Sequence, residues 1–462
     1  MAKPKTTYVC TQCGHTEPRW AGKCPGCEAW NTLQETVEAA AGAAKNNRYS
    51  NWAGTAGVAT DLRTVKASQH YRVSAGLKEF DRVLGGGVVS GSVTLIGGDP
   101  GIGKSTLLMQ ALSTLSSGAS VAYVTGEESP EQLQARAGRL GAEQAPIMLL
   151  TEVRLELILD YMETHKPKYA VIDSIQTIYS GELQSAPGSV AQVRECAAQL
   201  TGVAKRLGIA VFLVGHVTKD GTIAGPRVLE HIVDTVLYFE GDSGSQFRML
   251  RSLKNRFGAA NELGFFSMEP AGLVDVTNPS SMFLTAHERP VSGSCVLAAI
   301  EGNRPILVEV QALVEDAPTP NPKRFASGLD TSRLQMLLAV LNKHARASTF
   351  DENVYVKVVG GVRLTEPGAE LPVLLAVHSS LNNKPLPVGL IAFGEVGLAG
   401  ELRPVQAAAA RLKEAARLGF TRAIVPLACK SKALAEVSGI EITYASRVDQ
   451  ALGLMRELRE AA

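Results

Sequence analysis

Nine residues, Gly98-Asp99-Pro100-Gly101-Ile102-Gly103-Lys104-Ser105-Thr106, decide how most of this chain is read. They fit the pattern G-x-x-x-x-G-K-[ST], with an apolar run (92–97) before them and an amphipathic stretch (104–116) after. A strand that ends in a glycine-rich turn and opens a helix aims successive backbone N–H groups and the positive end of the helix dipole at one point. That is where the phosphates of a nucleotide are held. Lys104 is placed to reach the β- and γ-phosphates, and the Ser105 hydroxyl to ligate Mg2+. ATP and Mg2+ are therefore the expected ligands.

Outward from this turn, short apolar runs alternate with amphipathic stretches: 121–125 then 130–140, 169–173 then 189–207, and 209–215. The alternation predicts a parallel α/β sheet. Three β-rich runs without intervening helices, 232–240, 247–254 and 262–268, predict that the sheet ends in antiparallel strands. Asp173 closes its apolar run and so belongs at the C-terminal edge of a parallel strand, where a Walker-B aspartate supports Mg2+. Glu127 and Glu128 follow the run 121–125 to the same edge, where a carboxylate can orient or deprotonate the attacking water. The same pair also suits a helix start. His216, after 209–215, arrives at this edge and can meet the γ-phosphate.

The chain has 462 residues, 45% hydrophobic and 20% charged, which excludes a single small domain and global disorder. With 46 Lys+Arg against 45 Asp+Glu, nucleic-acid binding requires local basic clusters. No run is long and apolar enough for a membrane span, and Met1-Ala-Lys-Pro-Lys leads into no apolar signal region, so a cytoplasmic location is expected. Cys10, Cys13, Cys24 and Cys27 form C-x2-C-x10-C-x2-C, with Gly14 and Gly26 allowing two tight turns. Four thiolates in that spacing fit one tetrahedral, structural Zn2+. The expected organisation is a zinc finger (1–30), a linker (31–64), an ATPase domain (65–278) and a third, α+β domain (290–462).

These residues resemble the RecA-type ATPases, and within them the bacterial RadA (Sms) family. The resemblance covers nearly the whole chain: the four-cysteine finger, GDPGIGKST at 98–106, LVGHVTKDGTIAGPRVLEHIVDTVLYFEG at 213–241, KNRFG at 254–258, and a C-terminal part similar to the Lon proteolytic domain. It implies a RecA-like core with a zinc finger and a Lon-like domain, acting as a DNA-dependent ATPase of recombination and repair. It also implies a hexameric ring that moves on single-stranded or branched DNA and promotes branch migration beside RecA. On residues alone Lys254 and Arg256 form a basic turn. The resemblance implies fingers that enter a neighbouring subunit's ATP site, because RecA-like helicases carry a similar Lys-x-Arg pair there. It further places the loops after Asp173 and His216 in a central channel. The loops 180–190 and 218–227 read as mobile, and Lys219 and Arg227 on the second are then the expected DNA-phosphate contacts, joined by Arg194.

The stretch 393–426 resembles Lon, which makes an ATP-dependent protease a rival function. Lon-type cleavage needs a Ser–Lys dyad. The corresponding segments here read EPGAELP (366–372), without Ser, and RPVQAAAARL (403–412), where Ala408 and Ala409 fall near the expected Lys. The domain is accordingly expected to be a scaffold, with Arg333, Lys343, His344 and Arg346 as a basic surface. A third reading is a regulatory ATPase resembling KaiC, which shares the paired glutamates.

Overall fold

The computed structural model describes residues 5–10, 15–17, 19–38, 71–215, 226–241, 246–284, 289–318, 321–361 and 363–460. The chain divides into two compact units, Met1–Thr277 and Asn278–Ala462.

The first unit begins with a small antiparallel sheet of Thr16–Glu17, Lys5–Cys10 and Leu33–Glu38. Its main body is a nine-stranded sheet in the order Gly272–Asp275, Leu263–Glu269, Phe247–Asn255, Thr235–Glu240, Val93–Gly98, Ala210–Val214, Tyr169–Asp173, Val121–Thr125, Ile147–Thr151. The last six are mutually parallel and the first three are antiparallel, as the run of strands without helices predicts. Successive residues of the central strands feed opposite cores. Ile96, Val171 and Phe212 pack with Leu107, Leu108 and Leu112 of the helix Lys104–Ser116. Leu95, Ile172 and Leu213 pack with Ile158 of Leu155–His165 and with Val193, Ala197 and Leu200 of Val190–Leu207. Strands covered on both faces become continuous apolar runs, which is why they stand out in the sequence.

The periodicity reading passes over the helices Lys78–Leu84 and Leu155–His165 and two edge strands. Ile147–Thr151 is the edge strand, and its Met148 is 59% exposed, so it lacks the alternation that marks a half-buried strand. Gly272–Asp275 is a short edge strand closing a tight hairpin. The segment 180–190, expected to be mobile, is pinned at three of its carbonyls. The buried Gln192 side chain donates to the carbonyls of Ser180 (3.2 Å), Leu183 (3.2 Å) and Ser185 (3.0 Å) and accepts the Ser180 N–H (2.9 Å). A glutamine a few residues downstream of Pro187 and Gly188 outweighs their turn signals.

The second unit holds a seven-stranded mixed sheet in the order Arg324–Ser327, Glu352–Val358, Arg304–Asp316, Ser294–Glu301, Leu390–Ala392, Arg422–Pro426, Glu441–Ala445. Its helices include Thr331–Ala345, Ala408–Arg417 and Val448–Glu460, so the expected α+β mixture is present. A further helix, Glu370–Leu381, has every residue from Leu371 to Ser379 buried. A helix covered all round carries no amphipathic period, so it is silent to that test.

Candidate nucleotide site and its surroundings

The glycine-rich turn leaves Val93–Gly98 at the centre of the sheet and enters the helix Lys104–Ser116. Two of its glycines are required, Gly98 by space and Gly103 by its φ of +119°. A Cβ at Gly98 would stand 2.9 Å from both Cβ and O of Phe239, and one at Gly103 would stand 2.8 Å from Met268 Cε, each at positive φ. Lys104 is 4% exposed and donates to the carbonyls of Gly98 (2.8 Å) and Asp99 (2.9 Å). Burial lowers its pKa, opposed by the negative charges of Asp173, Asp99 and Glu127. From the strand Phe247–Asn255, buried Arg248 adds a hydrogen bond from Nε to the Ile102 carbonyl at 3.2 Å, bracing the turn.

The acids converge at the same sheet edge. Thr125 is level with Asp173 in the parallel register, and the Gly126 N–H reaches the Asp173 carbonyl at 3.4 Å. Asp173 is 7% exposed and accepts the Tyr123 hydroxyl at 2.5 Å; its peptide to Ser174 is cis. Tyr123 has its pKa raised well above the usual value, by burial and then by the Asp173 charge, so it stays a donor. Glu127 accepts the hydroxyl of buried Ser174, whereas Glu128 is held by Arg136 at 2.5 Å. Both glutamate N–H groups rest on Thr125 Oγ1, at 3.2 and 3.3 Å. Ser129 then caps the helix Pro130–Arg139, so the helix-start reading of the pair also describes what is there.

Lys254 and Arg256 lie at the opposite edge. Lys254 is level with Val236, and the Arg256 N–H bonds to the Asp234 carbonyl, whose own N–H bonds to Val93, the first residue of the strand that ends at Gly98. Five residues at ~3.3 Å each put roughly 16 Å of sheet between Arg256 and the turn of its own chain. Lys254 Nζ donates to the carbonyls of Glu230 (2.5 Å) and Val233 (2.9 Å), and burial lowers its pKa, helped by the charge of Arg256. Arg256 pairs with buried Asp234 at 3.2 Å and is 52% exposed.

His216 and Lys219 lie outside the described residues. Arg227 falls on the turn Pro226–Leu229, its side chain also outside them, and Arg194 is exposed on Val190–Leu207. In the N-terminal sheet, Cys10, Cys24 and Cys27 offer sulfurs within 4.8 Å of one another, with Cys10 and Cys27 3.6 Å apart; Cys13 lies outside the described residues. Zn–S bonds of ~2.3 Å at a tetrahedral angle require sulfurs about 3.8 Å apart, so this donor set fits zinc. Backbone bonds from Cys10 N–H to His15 O (2.8 Å) and from Cys24 N–H to Ala29 O (2.9 Å) close the two turns. At Gly26 a Cβ would come 2.9 Å from His15 Cβ, so the turns press together only with glycine there.

In the second unit the segments 366–372 and 403–412 do meet, but over an ion pair whose arginine is buried. Arg411, 2% exposed, grips Glu366 at 2.5 and 3.0 Å and also donates to Ala298 O (2.5 Å) and Gln406 O (2.9 Å). No serine–lysine pair stands there. The expected basic surface is corrected at Arg333, which is spent on Glu370 at 2.7 Å and on the carbonyls of Thr365 and Glu366. His344 is bonded to Leu398 O at 3.0 Å, and only Lys343 and Arg346 of that set are exposed cations.

Tyr123, Ser174, Arg248 and Asp234 are the residues that sequence reasoning passed over. Only Tyr123 left a signal: a phenol inside an aliphatic strand needs a buried partner.

The fold and site together define a P-loop ATPase of the RecA-like class with an N-terminal zinc ribbon. Residues 62–222 match the family described as AAA domain, and residues 8–35 the rubredoxin metal binding domain. The chain is 52% identical over 457 residues to the DNA repair protein RadA of Pseudomonas aeruginosa, covering 99% of this chain and 100% of the relative. It is 51% identical to the RadA of Escherichia coli (99% and 100%) and 47% to that of Bacillus subtilis (98% and 99%). The chain belongs to the bacterial DNA repair protein RadA family. Among solved structures it is similar to a KaiC-like protein of Pyrococcus horikoshii (22% identity, TM-score 0.38, 45% of this chain and 99% of that one). It is also similar to the RadB recombinase (24%, TM-score 0.36, 44% and 99%). No described helix is long and apolar enough to cross a membrane.

Proposed function

We propose that the chain is an ATP-driven motor of homologous recombination and DNA repair, acting in the cytoplasm as a hexameric ring on single-stranded or branched DNA. In this reading it promotes branch migration beside RecA. The observation that carries it is the division of labour between the two edges of one sheet. At one edge Lys104 faces Asp173 and Glu127; at the other, out of reach of that turn, stand Lys254 and Arg256.

The turn 98–106 holds the triphosphate through its N–H groups and Lys104, and Ser105 with Asp173 holds Mg2+, which supplies charge neutralisation on the phosphates. Glu127 orients the attacking water, and His216 meets the γ-phosphate. Since Lys254 and Arg256 cannot serve their own chain's site, they act on the neighbour's, which makes hydrolysis dependent on the ring. Lys219, Arg227 and Arg194 meet the DNA backbone. The four-cysteine site binds Zn2+, and the C-terminal unit is a non-proteolytic, Lon-like scaffold. Arg411 and Glu366 occupying the position of a dyad support this over a protease.

The test is steady-state ATP turnover of the full chain with and without single-stranded DNA. Stimulation of tenfold or more (~1.4 kcal/mol in barrier) is expected. Turnover indifferent to DNA would favour the KaiC-like regulatory reading instead.

A further inference from the structure

Two hydrogen bonds at the ATP site run in opposite directions between the same two strands. Tyr123, in Val121–Thr125, donates to Asp173 at the end of the neighbouring strand. Ser174, one residue further, donates back to Glu127, which follows the end of the first strand. Each acid is therefore held by a hydroxyl from the other acid's strand, and both hydroxyl-bearing residues are sealed off, Tyr123 at 1% and Ser174 at 0% exposure.

The hydroxyls are not needed to hold the chain in place. The backbone at this point is fixed independently, by Gly126 N–H to Asp173 O (3.4 Å), Ile175 N–H to Val214 O (3.0 Å) and the Thr177 hydroxyl to Ser174 O (2.8 Å). What they hold is the carboxylates. Glutamate has three rotatable side-chain bonds, and Glu127 is on the exposed side of the edge, so an anchor on one oxygen decides where the other points. Glu128 has no such anchor on this strand; Arg136 draws it toward the following helix.

We propose that Ser174 is the positioning residue of the water-activating acid, which it selects as Glu127 rather than Glu128, while Tyr123 positions Asp173 in the same way. This rests on the reading of the site as an ATP-hydrolysing centre in which Glu127 orients the attacking water. The cross-bonding sets the spacing of the two acids from each other, so that the acid serving the water and the acid serving the metal move as one piece. Misplacement of a reacting group by about 1 Å costs up to ~10^2 in rate, so the second hydroxyl has a measurable task.

The experiment uses the full-length chain with ATP, Mg2+ and single-stranded DNA, and compares Glu127→Gln, Ser174→Ala and the double variant in kcat and in KM for ATP. Ser174→Ala removes one oxygen from a packed site, and equal melting temperatures verify the fold. Glu127→Gln is expected to lower kcat by ~10^2-fold or more, and Ser174→Ala by ~10-fold with KM within about twofold, because the phosphate cradle is untouched. The double variant is expected to be no slower than Glu127→Gln, since Ser174 acts only through Glu127. A Ser174→Ala enzyme with wild-type kcat overturns the proposal while leaving the glutamate's role intact. So does a double variant that falls a further ~10-fold, which would mean that Ser174 acts independently. An unimpaired Glu127→Gln enzyme instead overturns the role of Glu127 itself, and the proposal with it.

Discussion

Two buried cations, one in each unit, have opposite uses. Lys104 is 4% exposed and Arg411 2%, so solvent access does not distinguish them. Their partners do. Lys104 rests on two carbonyls of its own turn and, among the described residues, makes no ion pair, although Asp173 and Glu127 are close enough to shift its pKa. Arg411 is closed in: a carboxylate grips it with both oxygens, and two carbonyls take two more of its five donors. A buried charge with only exchangeable carbonyl partners is poised for an anionic ligand, whereas one closed by a fork of carboxylate oxygens is part of the frame. The same contrast separates the phosphate turn from the place where the segments 366–372 and 403–412 meet.

Substituting the first cation breaks the comparison most sharply. Lys104→Ala is expected to leave no measurable ATP turnover while shifting the melting temperature by no more than a few degrees. Near-wild-type hydrolysis by this variant would remove the basis for the ATP site.

A third cation extends the contrast to a side chain that is half exposed and roughly 16 Å from its own turn. Arg256→Ala is expected to bind nucleotide and lose ~10^3-fold or more in hydrolysis. Mixing it with Lys104→Ala subunits is expected to restore part of the rate, since the intact finger of one variant meets the intact turn of the other. No recovery in rings shown to be mixed would rule out action between subunits.

Arg411→Ala should do the reverse of Lys104→Ala. It leaves partly buried Glu366 without its cation and empties the space of a buried arginine, at a cost of ~2–4 kcal/mol to the second unit, with ATP binding retained. Calorimetry of the full chain should show an early transition, and a melt equal to wild type would make Arg411 resemble Lys104 after all.

The smallest effect concerns pH. His378 sits on the buried helix Glu370–Leu381, and burial lowers its pKa from 6.5 to about 4, with Arg456 and Lys384 adding repulsion. Folded, it stays neutral; unfolded, it takes a proton below about pH 6.5. Its contribution is therefore complete above that value and fades as the pH falls toward 4, by roughly 3 kcal/mol in all at ~1.36 kcal/mol per pKa unit. His378→Gln should flatten the fall in melting temperature between about pH 7 and pH 5; an unchanged slope would assign it to other groups.

How much of this was legible depends on where each signal resides. The turn 98–106, the cysteine spacing and the runs ending at Asp173 and Thr125 could be read directly, because phosphate cradles, metal knuckles and doubly buried strands each impose residue types at fixed local intervals. The helix Glu370–Leu381 was not legible, since complete burial removes the period by which helices are recognised. Nor was the pinning of 180–190, which depends on one glutamine outside the loop.

The amino-acid order by itself determined the chemistry available: a lysine in a glycine-rich turn, acids at strand ends and four clustered thiols. The tertiary structure alone decided which groups meet, because strand order places Tyr123 beside Asp173 and Ser174 beside Glu127 across about fifty residues of chain. It also alone set Lys254 and Arg256 at the far edge of the sheet. Direction along a strand is a local property, but which end of a strand faces which ligand follows from the pairing of strands distant in the chain.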